Sequence, residues 1–142
     1  MQRTILFLSI LIFGSMAYAQ KIDTHHINPD SSNYPNVYVK LIHTDSAQST
    51  YMIWVKNWVL PHYHAHHTEY IQVLSGRGRM TLDSSTFTIR KGDVIVIPKG
   101  SVHSVKTLSR HALKVMSVQA PKFDGDRIWI NKPKETVSSN KK

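Results

Sequence analysis

The sequence predicts an all-β domain, a sandwich or closed barrel of short antiparallel strands, and three observations carry that prediction. The apolar runs between residues 37 and 130 are short and rich in β-branched and aromatic residues. Clusters with turn chemistry, Asp83-Ser84-Ser85, Lys91-Gly92-Asp93 and Pro98-Lys99-Gly100, separate them. Helical periodicity is almost wholly missing from the same region.

Taken in order, residues 1–19 read as a secretory signal peptide rather than as fold. Arg3 precedes an apolar run from Ile5 to Phe13, and Ala17-Tyr18-Ala19 supplies the small-x-small cleavage pattern. The run is shorter than the ~20 residues a membrane-spanning helix needs, so the expected mature chain starts at Gln20, leaves the membrane, and is periplasmic or secreted. Residues 20–36 form an N-terminal extension ending in a polar loop, Ser31–Asn36. The strand candidates then follow: Val37–His43, Tyr51–Leu60, Glu69–Leu74, Gly78–Leu82, Thr86–Ile89, Val94–Ile97, Val102–Thr107, Ala112–Gln119 and Arg127–Ile130. Alternation places Met80 and Leu82 inside with Arg77, Arg79 and Thr81 outside, and makes Phe87 and Ile89 the inward pair of the next strand. Met52, Trp54, Lys56 and Trp58 share one face of a single long strand, suited to a core or to a homodimer interface. Residues 37–131 thus make one β-domain, and 132–142 a basic, polar tail.

The chain has no cysteine, so neither disulfides nor thiolate chemistry is available. Its formal charge is +9, of which Arg3 supplies one. The excess is scattered along strands and the tail without a basic-aromatic stripe or a helix-turn-helix, which argues against nucleic acid as a partner. A small molecule is the expected ligand.

One stretch concentrates chemistry. His62-Tyr63-His64-Ala65-His66-His67-Thr68-Glu69 holds four of the nine histidines. On a strand His62 and His64 face the same way, about 7 Å apart along the chain. A turn at residues 65–68 would return Glu69 to the same place. Two imidazoles and a carboxylate suit a divalent ion of the Mn, Fe, Ni or Zn type. Downstream, GDVIVIPKGSVH sets Gly92, Pro98, Gly100 and His103 at a second regular spacing: a glycine turn, an apolar strand, a reversal, and a histidine entering the next strand.

These two motifs resemble those of the cupin superfamily, G-x5-H-x-H-x(3,4)-E-x6-G and G-x5-P-x-G-x2-H-x3-N, matched by His62, His64, Glu69 and Gly76 and by Gly92, Pro98, Gly100 and His103. The resemblance covers about Val37 to Gln119, with a short intermotif segment, 77–91. It implies a jelly-roll barrel (double-stranded β-helix) with one divalent transition metal inside, held by His62, His64, Glu69 and His103. Two positions depart from the pattern: Lys56 stands where the first motif has glycine, and Thr107 where the second ends in asparagine. Small cupins commonly pair through edge strands, which implies a homodimer.

Outside the ligand set, His66 and His67 read as surface residues or, alternatively, as hydrogen-bonding groups around the ligands, with His66 a weak candidate for an acid or base beside the site. His25, His26, His43 and His111 have no partner motif. Tyr63 and Tyr70 should point away from the metal. Asp124 and Asp126 read as turn formers in Ala120–Asp126, a segment resembling the one that closes many small cupins; the alternative, if that segment folds across the barrel mouth, is contact of one of them with substrate. The expected function is metal-dependent chemistry, of dioxygenase, isomerase or lyase type, on a small oxygen-rich molecule such as a sugar acid or a phenolic. The alternative is a non-catalytic ligand-binding module with a structural metal.

Overall fold

The computed structural model describes residues 20–131, so the signal segment and the basic tail lie outside the described residues. Ten strands follow one another: β1 Val37–Thr44, β2 Ser49–Val55, β3 Trp58–His64, β4 Thr68–Ser75, β5 Arg77–Leu82, β6 Ser85–Arg90, β7 Val94–Ile97, β8 His103–Thr107, β9 Leu113–Ala120 and β10 Arg127–Trp129. They pair antiparallel into two five-stranded sheets, β1-β2-β9-β4-β7 and β10-β3-β8-β5-β6, the jelly-roll arrangement.

The inner faces fill in a graded way. Val55, Val73, Met80, Ile89, Ile95, Ile97, Leu113 and Val115 form the apolar core. Farther along β4 and β9, Glu69, Ser117 and Gln119 are buried as well, and β3 and β8 bury His62, His64 and His103. One part of the barrel interior is therefore lined with hydrocarbon, and the other carries a polar cluster that must satisfy itself or a guest.

Tyr51–Leu60, expected as one strand, is two. The chain turns at Lys56-Asn57, where a lone asparagine, with neither glycine nor proline beside it, is the one local turn signal. A residue far upstream builds it: the Asn36 side-chain oxygen accepts from the amides of Asn57 (2.9 Å) and Trp58 (3.2 Å), and its amide group donates to the Trp58 carbonyl (2.7 Å). Both departures from the cupin motifs meet here. The Thr107 hydroxyl donates to the Val55 carbonyl (2.8 Å) and its amide to the Asn57 carbonyl (2.7 Å). The Lys56 amine donates to the carbonyls of Ser32 (3.2 Å) and Tyr34 (2.6 Å) and lies 3.9 Å from the Tyr34 ring centre. A lysine in place of glycine thus ties the N-terminal extension to the barrel.

Lys114 makes a second tie, donating to the carbonyls of Thr24 and Ile27, both at 2.7 Å. Met52 and Trp54 point away from the barrel interior yet are buried, Trp54 edge-on to Tyr38. Of the expected dimer face, Lys56 and Trp58 (51% exposed) remain open, while Met52 and Trp54 are covered. Phe87 is also more exposed than alternation suggested, at 37%, because β6 is the edge strand of its sheet, while Ile89 is buried as expected.

Candidate metal centre

His62 and His64 reach the interior because β3 is bulged. Its register with β8 runs Val59↔Val105 and then His62↔His103, an extra residue on β3 at Leu60-Pro61. An uninterrupted strand would send Val59 and His62 to opposite faces. Proline, which lacks an amide hydrogen, is at home in such a bulge. His103 is the first residue of β8, directly opposite His62, with ring centres 4.1 Å apart. Glu69 enters from the other sheet, opposite Gln119 and Ile97.

The nitrogen donors of His62, His64 and His103 lie within 4.8 Å of one another, the scale of one ion's surroundings. The Nδ1 of His62 lies 2.8 Å from the Leu60 carbonyl, and that of His103 3.1 Å from the Ser101 carbonyl. Each Nδ1–H donates to that carbonyl, which leaves the opposite nitrogen as a lone-pair donor. One Glu69 oxygen accepts from the Ser117 hydroxyl and from Gln119 (3.2 Å), while the other faces His103 Nε2 at 3.3 Å and His64 Nε2 at 3.6 Å. Burial, then the His103 imidazole, push the His62 pKa down to about 3, so its ring stays neutral. Burial pushes the Glu69 carboxyl up, but the adjacent His103 and His64 imidazoles, with the Ser117 hydroxyl, prevail and hold it well below the usual carboxylate range.

All four expected ligands thus come together. Both ring nitrogens of His64 are buried without a hydrogen-bond partner among the described residues. Orphaned buried nitrogens beside lone-pair donors and a carboxylate are what a cation site requires, so the donor set fits a divalent transition metal.

The neighbouring histidines divide differently from the expectation. His66 is on the surface, its side chain 67% exposed, 3.1 Å from Asp124 and away from the cavity. His67, expected at the surface, is instead buried at 1%, its ring stacked 4.1 Å from that of His64. Beside it lies Asp126, expected chiefly as a turn former. Its buried carboxylate lies 3.0 Å from His67 Nδ1 and 3.6 Å from His64 Nδ1, and it accepts the His66 amide at 2.7 Å. Burial raises the Asp126 pKa, but the His66 amide and the nearby imidazoles outweigh it and the carboxyl stays ionised. Residues 120–126 thereby clamp the turn between β3 and β4, and His64, His67 and Asp126 form a second cluster with metal-ligating capacity. Sixty residues separate these partners, and no local pattern links them.

Below the four residues lies a cavity of about 310 Å³. His62, Glu69 and His103 stand in its wall, but most of the lining is aliphatic, including Val39, Ile53, Val59 and Ile71. Val39 and Trp129, on the edge strands of the two sheets, line it and are also exposed, so the cavity opens between β1 and β10. Arg127 also lines it, on the same face of β10 as Trp129, opposite His64. Sequence reading placed Arg127 only in a strand.

Residues 51–119 match the family described as Cupin domain. Two uncharacterised proteins are 32% identical to the chain. One, from Aquifex aeolicus, aligns over 54% of this chain and 63% of its own length, so the chain spans less than two thirds of that relative. The other, from Methanocaldococcus jannaschii, aligns over 63% of this chain and 70% of its own. A quercetin 2,3-dioxygenase of Bacillus subtilis is 33% identical over 44% of this chain, which is 18% of that enzyme. Among solved structures, KdgF from Halomonas sp. superposes with a TM-score of 0.64 at 17% identity, covering 75% of this chain and 97% of its own, a likeness of fold. With both motifs in place, the jelly roll formed and the donors gathered at its polar end, the chain belongs to the cupin superfamily.

Proposed function

We propose that the chain is an exported, divalent-metal enzyme acting on a small oxygen-bearing molecule, with the metal held by His62, His64, Glu69 and His103. The observation that carries this reading is the convergence of three imidazoles and a carboxylate at the polar end of a 310 Å³ cavity. A bound Mn, Fe, Ni or Zn ion would supply a Lewis acid for a ligand oxygen, and Mn or Fe would add redox chemistry. The protein's own part is to hold the donors. Ser117 and Gln119 fix Glu69, backbone carbonyls fix His62 and His103, and aliphatic walls keep water from the ligand.

The aliphatic lining favours a phenolic over a sugar acid. A polyhydroxyl body would lose water there without gaining hydrogen bonds, at about 1–3 kcal/mol for each unsatisfied group. The stretch shared with a quercetin 2,3-dioxygenase leans the same way. Export rests on residues 1–19, and pairing of two copies would use exposed edges such as Val94 and Val96 of β7.

One observation favours the non-catalytic reading: besides the expected ligands, the cavity wall offers Arg127 and no other titratable side chain. Comparing metal-stripped and metal-loaded chain on phenolic and uronate substrates, with product analysis, separates the two. Turnover that appears on loading and vanishes in Glu69→Gln supports the enzyme. Binding without turnover supports the module, and neither binding nor turnover contradicts both.

A further inference from the structure

The proposed metal leaves one cation in the cavity without a role. Arg127 Nε is buried with no hydrogen-bond partner, and no carboxylate among the described residues lies within ion-pairing distance of the guanidinium. The group sits between two aromatic rings, its central carbon 5.5 Å from the Trp129 ring centre and 5.9 Å from that of Phe123. Those faces steady a cation but cannot accept its in-plane N–H bonds. Trp129 in turn lies 5.0 Å, ring to ring, from His62. Arg127 is half-buried, and its buried Nε–H is costly to leave without an acceptor. Beside it runs the aliphatic cavity, whose wall includes His62, Glu69 and His103.

We propose that Arg127 is an anion-binding residue and that the cavity takes an aromatic carboxylate. The ligand's carboxylate pairs with the guanidinium fork. A neighbouring hydroxyl or carbonyl oxygen faces His62 and His103, and the apolar body lies against Val39, Val59 and Ile71. The fork geometry of arginine matches a carboxylate through two parallel hydrogen bonds. The aliphatic wall accepts a ring and rejects a polyol, which separates this class from the uronates. The inference deepens the reading above, since the ligand's second oxygen is placed by the proposed metal, but the pairing with Arg127 does not depend on that ion.

Calorimetric titration tests the pairing with salicylate, its neutral near-isostere salicylamide, and glucuronate. The host is the mature chain, loaded with zinc and dialysed free of excess. Salicylate is expected to bind at least about tenfold more tightly than either competitor, the scale of a hydrogen bond to a charged group. Arg127→Gln should erase the preference over salicylamide while leaving bound zinc unchanged. Arg127→Lys, which keeps the charge and loses the fork, should retain part of it and serves as the test if the glutamine variant does not fold. The same titrations with benzoate and benzamide on metal-free protein read the pairing independently of the ion. If zinc does not bind but benzoate still depends on Arg127, the metal reading fails and this one stands. If zinc binds and the variants keep the full preference, or the acids do not bind at all, Arg127 merely braces β10 and the proposal is overturned.

Discussion

Burial and the facing His103 ring hold His62 neutral to about pH 3, whereas an unfolded chain protonates histidine near 6.5. Between those values the unfolded chain binds a proton that the native protein refuses, so stability falls as pH falls. His67, lowered by burial, works in the same direction. Glu69 and Asp126 extend the loss further into acid, because native carboxyls held below their usual range stay ionised while unfolded ones protonate. The midpoint of thermal unfolding of metal-free protein should therefore be nearly flat above about pH 7 and decline steadily from about 6.5 towards 3. His62→Gln should flatten the upper part of that decline, and a wild-type midpoint unchanged between pH 7 and 5 would refute the assignment. That His62, His64, Glu69 and His103 meet was legible, because their spacing is a property of one strand and one turn at a time. His67 and Asp126 were not, because each meets a partner about sixty residues away, and Arg127 was not, because its place in the cavity wall depends on how β10 pairs with β3.

Strand boundaries follow the same rule at the scale of elements. Most turns are announced by glycine, proline or aspartate, and β7 matches its expected span, Val94–Ile97. The turn between β2 and β3 went unread because its hydrogen bonds come from Asn36. The bulge in β3 was equally hidden, since Pro61 shows its purpose only against the register of β8. The motif glycines can be ranked by what surrounds them. Gly76 has φ +84° and leaves no room: an added Cβ would lie 2.9 Å from the Ser109 hydroxyl oxygen and 3.0 Å from the Leu113 Cα. Gly92 has φ +96° and open space around it. Gly92→Ala should cost about 1–2 kcal/mol from backbone strain alone. Gly76→Ala should cost more, about 3 kcal/mol, because the β9 backbone must also shift. Urea unfolding of the two variants checks the order, and equal losses would contradict it.

For the molecule as a whole, the N-terminal extension completes the fold and the metal site motivates it. Lys56, Lys114 and Asn36 bind the extension to the outer face, where Trp54 is only 6% exposed. A chain beginning at Val37 should lose about 2 kcal/mol or more, the scale of exposing one large aromatic side chain. It should also show a red-shifted tryptophan emission, and unchanged stability and emission would contradict this role. At the far end of the barrel, the account's central claim is that four side chains from two sheets hold one ion. Elemental analysis of the purified mature chain beside His103→Ala tests it most directly. The account predicts about one transition-metal atom per chain in the first, and loss of that metal in the variant, with both proteins folded by circular dichroism. Metal-free wild-type protein after reloading with Mn, Fe, Ni and Zn, or full occupancy in the variant, would contradict it.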